Sequence, residues 1–136
     1  MLQVRPRGFT LLELVIACAI VAILASIEYP SYVNSVQKSR RSEATASILG
    51  IASQLERWST EKSTYATATL GTGGIYADHS ENSYYNLSLS NLTATTYTIQ
   101  ASPAAIQASD PCGSFTYDQS GNKDVSGGTW TKAQCW

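Results

Sequence analysis

From Phe9 to Ile27 nearly every residue is apolar or small, and Glu13 is the only charge. A helix of that length crosses a hydrocarbon core of about 30 Å, so the run reads as a membrane span. Beyond Pro30 the pattern changes. Ala44, Ile48, Ile51, Leu55 and Trp58 recur at alternating spacings of four and three, while Glu43, Thr45, Ser47, Glu56 and Arg57 mostly fill the other positions. That period places the apolar set on one helical face. The two stretches together predict one long helix from about Phe9 to about Thr60, bent near Pro30 and weakened at Gly50. Residues 63–83 read as a long connection, with Gly71, Gly73 and Gly74 in a Thr/Ala-rich stretch. Strict alternation follows: Tyr85, Leu87 and Leu89 point one way, and Tyr97, Ile99 and Ala101 do the same in the next run, which Pro103 ends. A third strand is expected at Ser114–Asp118, then a turn over Gln119–Asn122 and a short return through Lys123–Val125. The fold class is α+β, a long N-terminal helix whose amphipathic half covers one face of a four-stranded antiparallel sheet.

Charge refines this picture. With 136 residues and a formal charge of −1 the chain looks balanced, but its halves differ. Arg5, Arg7, Lys38, Arg40 and Arg41 face only Glu13 and Glu28 in the first third. After Ser42, eight acids face the four bases Arg57, Lys62, Lys123 and Lys132. A net-acidic outer part is a poor starting point for a general nucleic-acid binder. Lys38, Arg40 and Arg41 fall at the junction of span and domain and read as a solvated positive face at the lipid headgroups, with a phosphate or DNA contact as the lesser alternative. Cys18 lies in the apolar run and reads as a small hydrophobe. Cys112 and Cys135 frame a polar, Ser/Thr/Gly-rich tail, as expected of a disulfide made outside the cytoplasm; two free thiols are the alternative.

Glu13 needs an account of its own, because a carboxylate at membrane depth costs about 2.5–3.5 kcal/mol. A secretory signal would need a small-x-small cleavage site, and Ile23-Leu24-Ala25-Ser26-Ile27 supplies a poor one. A plain membrane anchor leaves the acid unexplained. A leader cut after Gly8 explains it: Phe9 becomes a free amine, and Glu13 lies one turn away in the first helical turn, where the helix dipole favours an anion. If subunits pack side by side, Glu13 pairs with a neighbour's Phe9 ammonium and enforces register, since stripping one partner from a buried pair costs about 3–5 kcal/mol.

The run Gly8-Phe9-Thr10-Leu11-Leu12-Glu13-Leu14 resembles the processing and assembly motif of type IV prepilins, and Pro30 falls where many of that family carry a helix-bending proline. The resemblance implies cleavage between Gly8 and Phe9 by a prepilin peptidase, methylation of the new amine, and assembly with other pilin subunits on an inner-membrane platform. It divides the chain into a leader (1–8), a membrane and filament-core helix half (9–32) and a periplasmic, then surface-exposed, globular domain (33–136). The expected location is the inner membrane as a single-pass protein, then an extracellular pilus. Glu28 sits at the membrane surface on this view, beside no partner that the motif names.

The tail bears on the subgroup. Tyr84-Tyr85-x-Leu87-Ser88-Leu89, Tyr97-Thr98-Ile99-x-Ala101, Asp110-x-Cys112-Gly113, Gly121-x-Lys123 and Cys135-Trp136 resemble the minor pilins of the PilE and ComP-like group. In the ComP relatives a basic stripe on the disulfide-closed region binds DNA. Here that region offers Lys123 and Lys132 against Asp110, Asp118 and Asp124, and each phosphate contact needs its own cation. The expected role is therefore a minor structural subunit supporting pilus assembly and twitching. DNA contact through Lys123 and Lys132 is the alternative, and a pseudopilin of a type II secretion machine the third reading.

Other chemistry is sparse. His79 beside Asp78 and Glu81 has no second His or Cys and reads as an exposed turn. Asp118, Ser120, Asn122 and Asp124 alternate oxygen-bearing side chains around Gly121, but without the glycine position and distal Glu of a calcium loop they read as a hairpin turn. Asn86-Leu87-Ser88 and Asn91-Leu92-Thr93 match the glycosylation sequon, as chance allows in a Ser/Thr-rich chain. No triad, phosphate loop or metal-ligand cluster appears in the sequence. The expectation is a protein that is not an enzyme and needs no cofactor or metal.

Overall fold

The computed structural model describes residues 8–136; all of the leader expected at 1–8 except Gly8 lies outside the described residues. One helix, α1, runs from Leu11 to Lys62 with Pro30 inside it. It begins and ends two residues later than the periodicity suggested, the usual uncertainty of helix ends. The chain divides into two compact units between Val36 and Gln37. In the first, every described residue as far as Tyr32 is exposed. The helix is long and apolar enough there to cross a membrane, and none of its apolar window is buried within the chain.

The second unit holds the core. Strands β1 (Tyr85–Ser90), β2 (Thr98–Pro103), β3 (Gly113–Asp118) and β4 (Lys123–Gly127) form an antiparallel meander in the order β1-β2-β3-β4. Leu87, Ala101, Phe115 and Val125 stand in one row across all four strands. Ala44, Ile48, Ile51 and Leu55 of α1 are fully buried and form one cluster with Tyr85, Ile99 and Phe115. The period-four-and-three stripe thus meets the period-two face of the sheet, as the alternation predicted. A short helix, α2 (Lys132–Cys135), follows the sheet. The sequence pattern missed it because four residues are too few to show a period. Its start is marked by Thr131, whose N–H and Oγ1 both reach Gln134 Oε1, at 2.9 and 3.1 Å.

One expectation gains detail and one needs correction. Residues 63–83 form the expected long connection, and it packs on the core: Tyr65, Ala68 and Ser80 are buried. Within that stretch Gly71 N–H bonds the Tyr76 carbonyl and Ile75 N–H the Thr69 carbonyl, closing a tongue over Thr69–Tyr76. Farther along, His79 pairs with Asn86 and Leu87 N–H bonds the Asp78 carbonyl, so the connection lines β1, which is an edge strand. Gly50 is not a weak point in α1. A Cβ there would lie 3.0 Å from the Tyr76 ring, so the missing side chain is the seat for that tyrosine.

Candidate functional site

In the first unit, Gly8 and Phe9 precede α1 and are exposed, Phe9 at 89%. Glu13 is not an orphan. Its Oε2 accepts Thr10 N–H at 2.9 Å and Thr10 Oγ1–H at 3.0 Å, while Glu13 N–H reaches back to Thr10 Oγ1 at 3.2 Å. This is the reciprocal capping box of a helix start. The Thr-x-x-Glu spacing was legible in the sequence, and Thr10 is the residue that a reading centred on the neighbouring subunit overlooked. The box leaves Glu13 Oε1 without a partner among the described residues, and a carboxylate accepts about four hydrogen bonds. Capping and an intermolecular ion pair are therefore compatible.

In the second unit, the positive face expected at Lys38, Arg40 and Arg41 is only partly solvated. Lys38 is exposed. Arg40 lies 4.6 Å from the Tyr84 ring centroid and donates to Ile106 O and Gln107 Oε1, both at 3.3 Å. Arg41 is buried: its Nε donates to Asp110 Oδ1 and Oδ2 at 3.0 and 2.8 Å, and its guanidinium stacks 4.8 Å from the Trp130 ring centroid. Asp110 also accepts Gln107 Nε2–H at 2.6 Å and Cys112 N–H at 2.7 Å. A buried charge persists only when paired and hydrogen-bonded, and this one is both. Hydropathy cannot tell such an arginine from a solvated one.

Asp110 thereby holds the start of the disulfide-closed region. Cys112 and Cys135 are bonded across 23 positions with their Cα atoms 5.8 Å apart. Gly113, next in chain, has φ +66°, and a Cβ would overlap the Ser126 carbonyl, so only glycine fits where β3 leaves the bridge. The Trp136 indole packs edge-on to Phe115 at 5.5 Å and donates to the Asp124 carbonyl at 3.0 Å. Lys123 and Lys132, nine positions apart in the chain, line one open depression of about 430 Å³ with Gly121, Asn122, Ala133 and Trp136. Lys123 Nζ sits 4.9 Å from the Trp136 ring centroid.

Of the acids weighed against those lysines, one is paired with a cation and two are ionised carboxylates hydrogen-bonded within their own turn and strand. Asp110 is neutralised by Arg41. Asp118 Oδ1 accepts the Ser120 and Asn122 N–H groups at 2.8 and 3.0 Å, and its Oδ2 accepts Asn122 Nδ2–H at 2.9 Å. These bonds, the Asn122 amide first, hold the Asp118 carboxyl below the usual range. The alternating oxygens are thus a hairpin turn, as read. Asp124 Oδ1 accepts the N–H of Val125 at 2.9 Å. His79 is exposed and bonded to Asp78 at 2.8 Å, which holds the Asp78 carboxyl low.

A long helix with an exposed apolar first half, an antiparallel meander and a C-terminal disulfide form the architecture of a pilin. The family model described as type IV minor pilin ComP, DNA uptake sequence receptor, matches residues 30–116. The chain belongs to this family. The prokaryotic N-terminal methylation motif matches residues 5–27 of the same pilin. Its fold is similar to the non-core minor pilin PilV of Neisseria meningitidis, at TM-score 0.59 and 24% identity over 72% of this chain and 94% of that one. A type IV pilin from Shewanella oneidensis gives TM-score 0.53 and 23% identity over 70% and 98%. Among curated relatives, the type II secretion system core protein G of Dickeya chrysanthemi is 34% identical over 52% of this chain and 46% of its own length. The major pilin PilA of Myxococcus xanthus is 37% identical over 46% and 28%. The pilin spans less than half the length of these two relatives. The ComP match includes Cys112 but stops short of Lys123, Lys132 and Cys135.

Proposed function

We propose that the chain is a minor structural subunit of a type IV pilus, acting by assembly and not by catalysis. In this reading the precursor waits in the inner membrane and is cut between Gly8 and Phe9. It is then methylated on Phe9 and enters a filament of pilin subunits through the first half of α1. The observation that carries the reading is the exposed apolar helix headed by the Thr10–Glu13 box, with one carboxylate oxygen left without a partner among the described residues and able to meet a neighbour's amine. The test is a Glu13→Ala allele. Processing of the precursor should continue while incorporation into pili and twitching fail; normal pili containing the substituted subunit would sink the proposal. Loss of protein export with pili intact would instead assign it to a type II secretion system, the machine named for the Dickeya relative.

A second reading, DNA capture, is favoured by one observation: the depression that gathers Lys123, Lys132 and Trp136 while Asp110 is paired with Arg41. The ComP family description names a DNA uptake sequence receptor. Two lysine–phosphate contacts imply a salt slope of only about −1.8 in log–log form. Gel shift of the full-length chain in detergent tests it. Binding with that slope, lost on Lys123→Ala plus Lys132→Ala, supports a receptor role; absence of binding at low salt removes it.

A further inference from the structure

A second cleft lies between α1 and the tongue. Gln54, Arg57, Trp58 and Glu61 line it from the helix, and Gly73, Gly74 and Ile75 from the tongue, enclosing about 250 Å³. The four helical positions follow the spacing that puts side chains on one face. They bring an amide, a guanidinium, an indole and a carboxylate to one opening.

Each group has unused bonding capacity. The Gln54 amide makes no side-chain hydrogen bond among the described residues. Arg57 and Glu61 meet at 3.3 Å through one nitrogen and one oxygen, and both side chains are mostly exposed. An exposed pair of this kind contributes little to stability, so its other donors and its second oxygen are open to a ligand. Trp58 is half-buried, and its Nε1–H is enclosed without an acceptor among the described residues. An unmet buried donor is costly, so a shift of the indole that brought this N–H to an acceptor would be favoured. Opposite the indole, Gly73 and Gly74 leave bare backbone. Gly74 cannot be replaced at no cost, since a Cβ would overlap the Thr69 carbonyl.

The chemistry selects the ligand. The cleft is too small and too polar for a lipid chain or a drug-sized apolar molecule. Arg57 is paired with Glu61, which leaves Lys62, its Nζ 5.6 Å from the Trp58 ring centroid, as the one unpaired cation beside the cleft among the described residues, less positive charge than a phosphate site gathers. A six-membered ring rich in hydroxyls matches on both counts. Its C–H face packs on the electron-rich face of an indole, and its neighbouring hydroxyls take paired bonds from planar amide, guanidinium and carboxylate groups.

We propose that the Gln54–Arg57–Trp58–Glu61 cleft binds a single saccharide unit, giving the pilin domain a carbohydrate contact separate from the Lys123–Lys132 depression. Full-length chain in a detergent without sugar headgroups is titrated with glucose, galactose and N-acetylglucosamine, following the indole N–H signals by NMR, with Trp58 assigned through Trp58→Phe. At least one sugar should move the Trp58 signal saturably with a midpoint of about 1 mM. The Trp130 and Trp136 signals should stay fixed, both as specificity controls and as reporters of an intact fold. Gln54→Ala and Arg57→Ala, both on the helix surface, should each weaken the midpoint about tenfold. No saturable shift with any of the three sugars overturns the proposal. So does a shift that survives both substitutions, or one produced instead by inorganic phosphate or a short peptide.

Discussion

Arg41 Nε shares its hydrogen between both carboxylate oxygens of Asp110, joining α1 to the loop before the disulfide across 69 positions of sequence. Both side chains are almost wholly enclosed, at 8% and 0% exposure. Removing either partner leaves an unpaired buried charge, so Arg41→Met or Asp110→Ala should destabilise the fold by about 3–5 kcal/mol. Replacing both with apolar residues should recover much of that loss. Urea unfolding of the three variants measures it; a single-variant loss within about 0.5 kcal/mol, the range of an ordinary surface change, would refute the clamp.

Gly50→Ala sets two effects against each other. Alanine is the better helix former by about 1 kcal/mol, but its Cβ would press on the Tyr76 ring at 3.0 Å. Overpacking of this kind costs about 1–3 kcal/mol, so the substitution should be neutral to destabilising. With Tyr76→Ala also present, the same Gly50→Ala change should stabilise. Thermal unfolding of both backgrounds reads the sign reversal.

Tyr85 and Tyr97 predict an alkaline limit. Burial pushes the Tyr85 hydroxyl up to about 12. Burial likewise raises Tyr97, helped by its bond to the Glu56 carboxylate. A folded state that keeps these protons longer than the unfolded chain binds more protons between about pH 10 and 12, so stability falls as pH rises through that window and is unaffected below it. Tyr85→Phe should flatten part of the decline in a pH series of unfolding midpoints. A flat wild-type profile to pH 12 would contradict the assignment.

Reducing the Cys112–Cys135 bridge frees a loop of 23 positions, a loss of about 3 kcal/mol in the chain-entropy account. It also releases α2, and with it the segment that holds Lys132 and Trp136 beside Lys123. Unfolding with and without reductant gives the first quantity. Trp136 fluorescence, isolated in a Trp58→Phe, Trp130→Phe background, reports the second: reduction should shift it toward that of a solvated indole.

Much of this architecture was legible because it rests on local periodicity. Ile48, Ile51 and Leu55 announced a buried helical stripe, and Tyr85, Leu87, Ile99 and Ala101 announced strands, since side-chain spacing follows directly from backbone geometry. The Thr10–Glu13 box was equally local, three residues apart. Arg41 was misread for the opposite reason: its partner stands far away in sequence, and nothing near it distinguishes a buried guanidinium from a solvated one. The cleft at Trp58 was invisible for the same cause, because half of it comes from a glycine-rich tongue that has no period.

By itself, the sequence determined the exposed apolar helix half, the N-terminal methylation motif, the order of helix and strands, and the cysteine pair, all consequences of residue type and short spacing. The tertiary structure alone decided which charges are free. It buried Arg41 and Asp110 against each other, committed Asp118 to its turn, and brought Lys123 and Lys132 to one depression. Charge counting along a chain treats every ionised group as solvated, whereas folding pairs some and exposes others, and only three-dimensional proximity determines which.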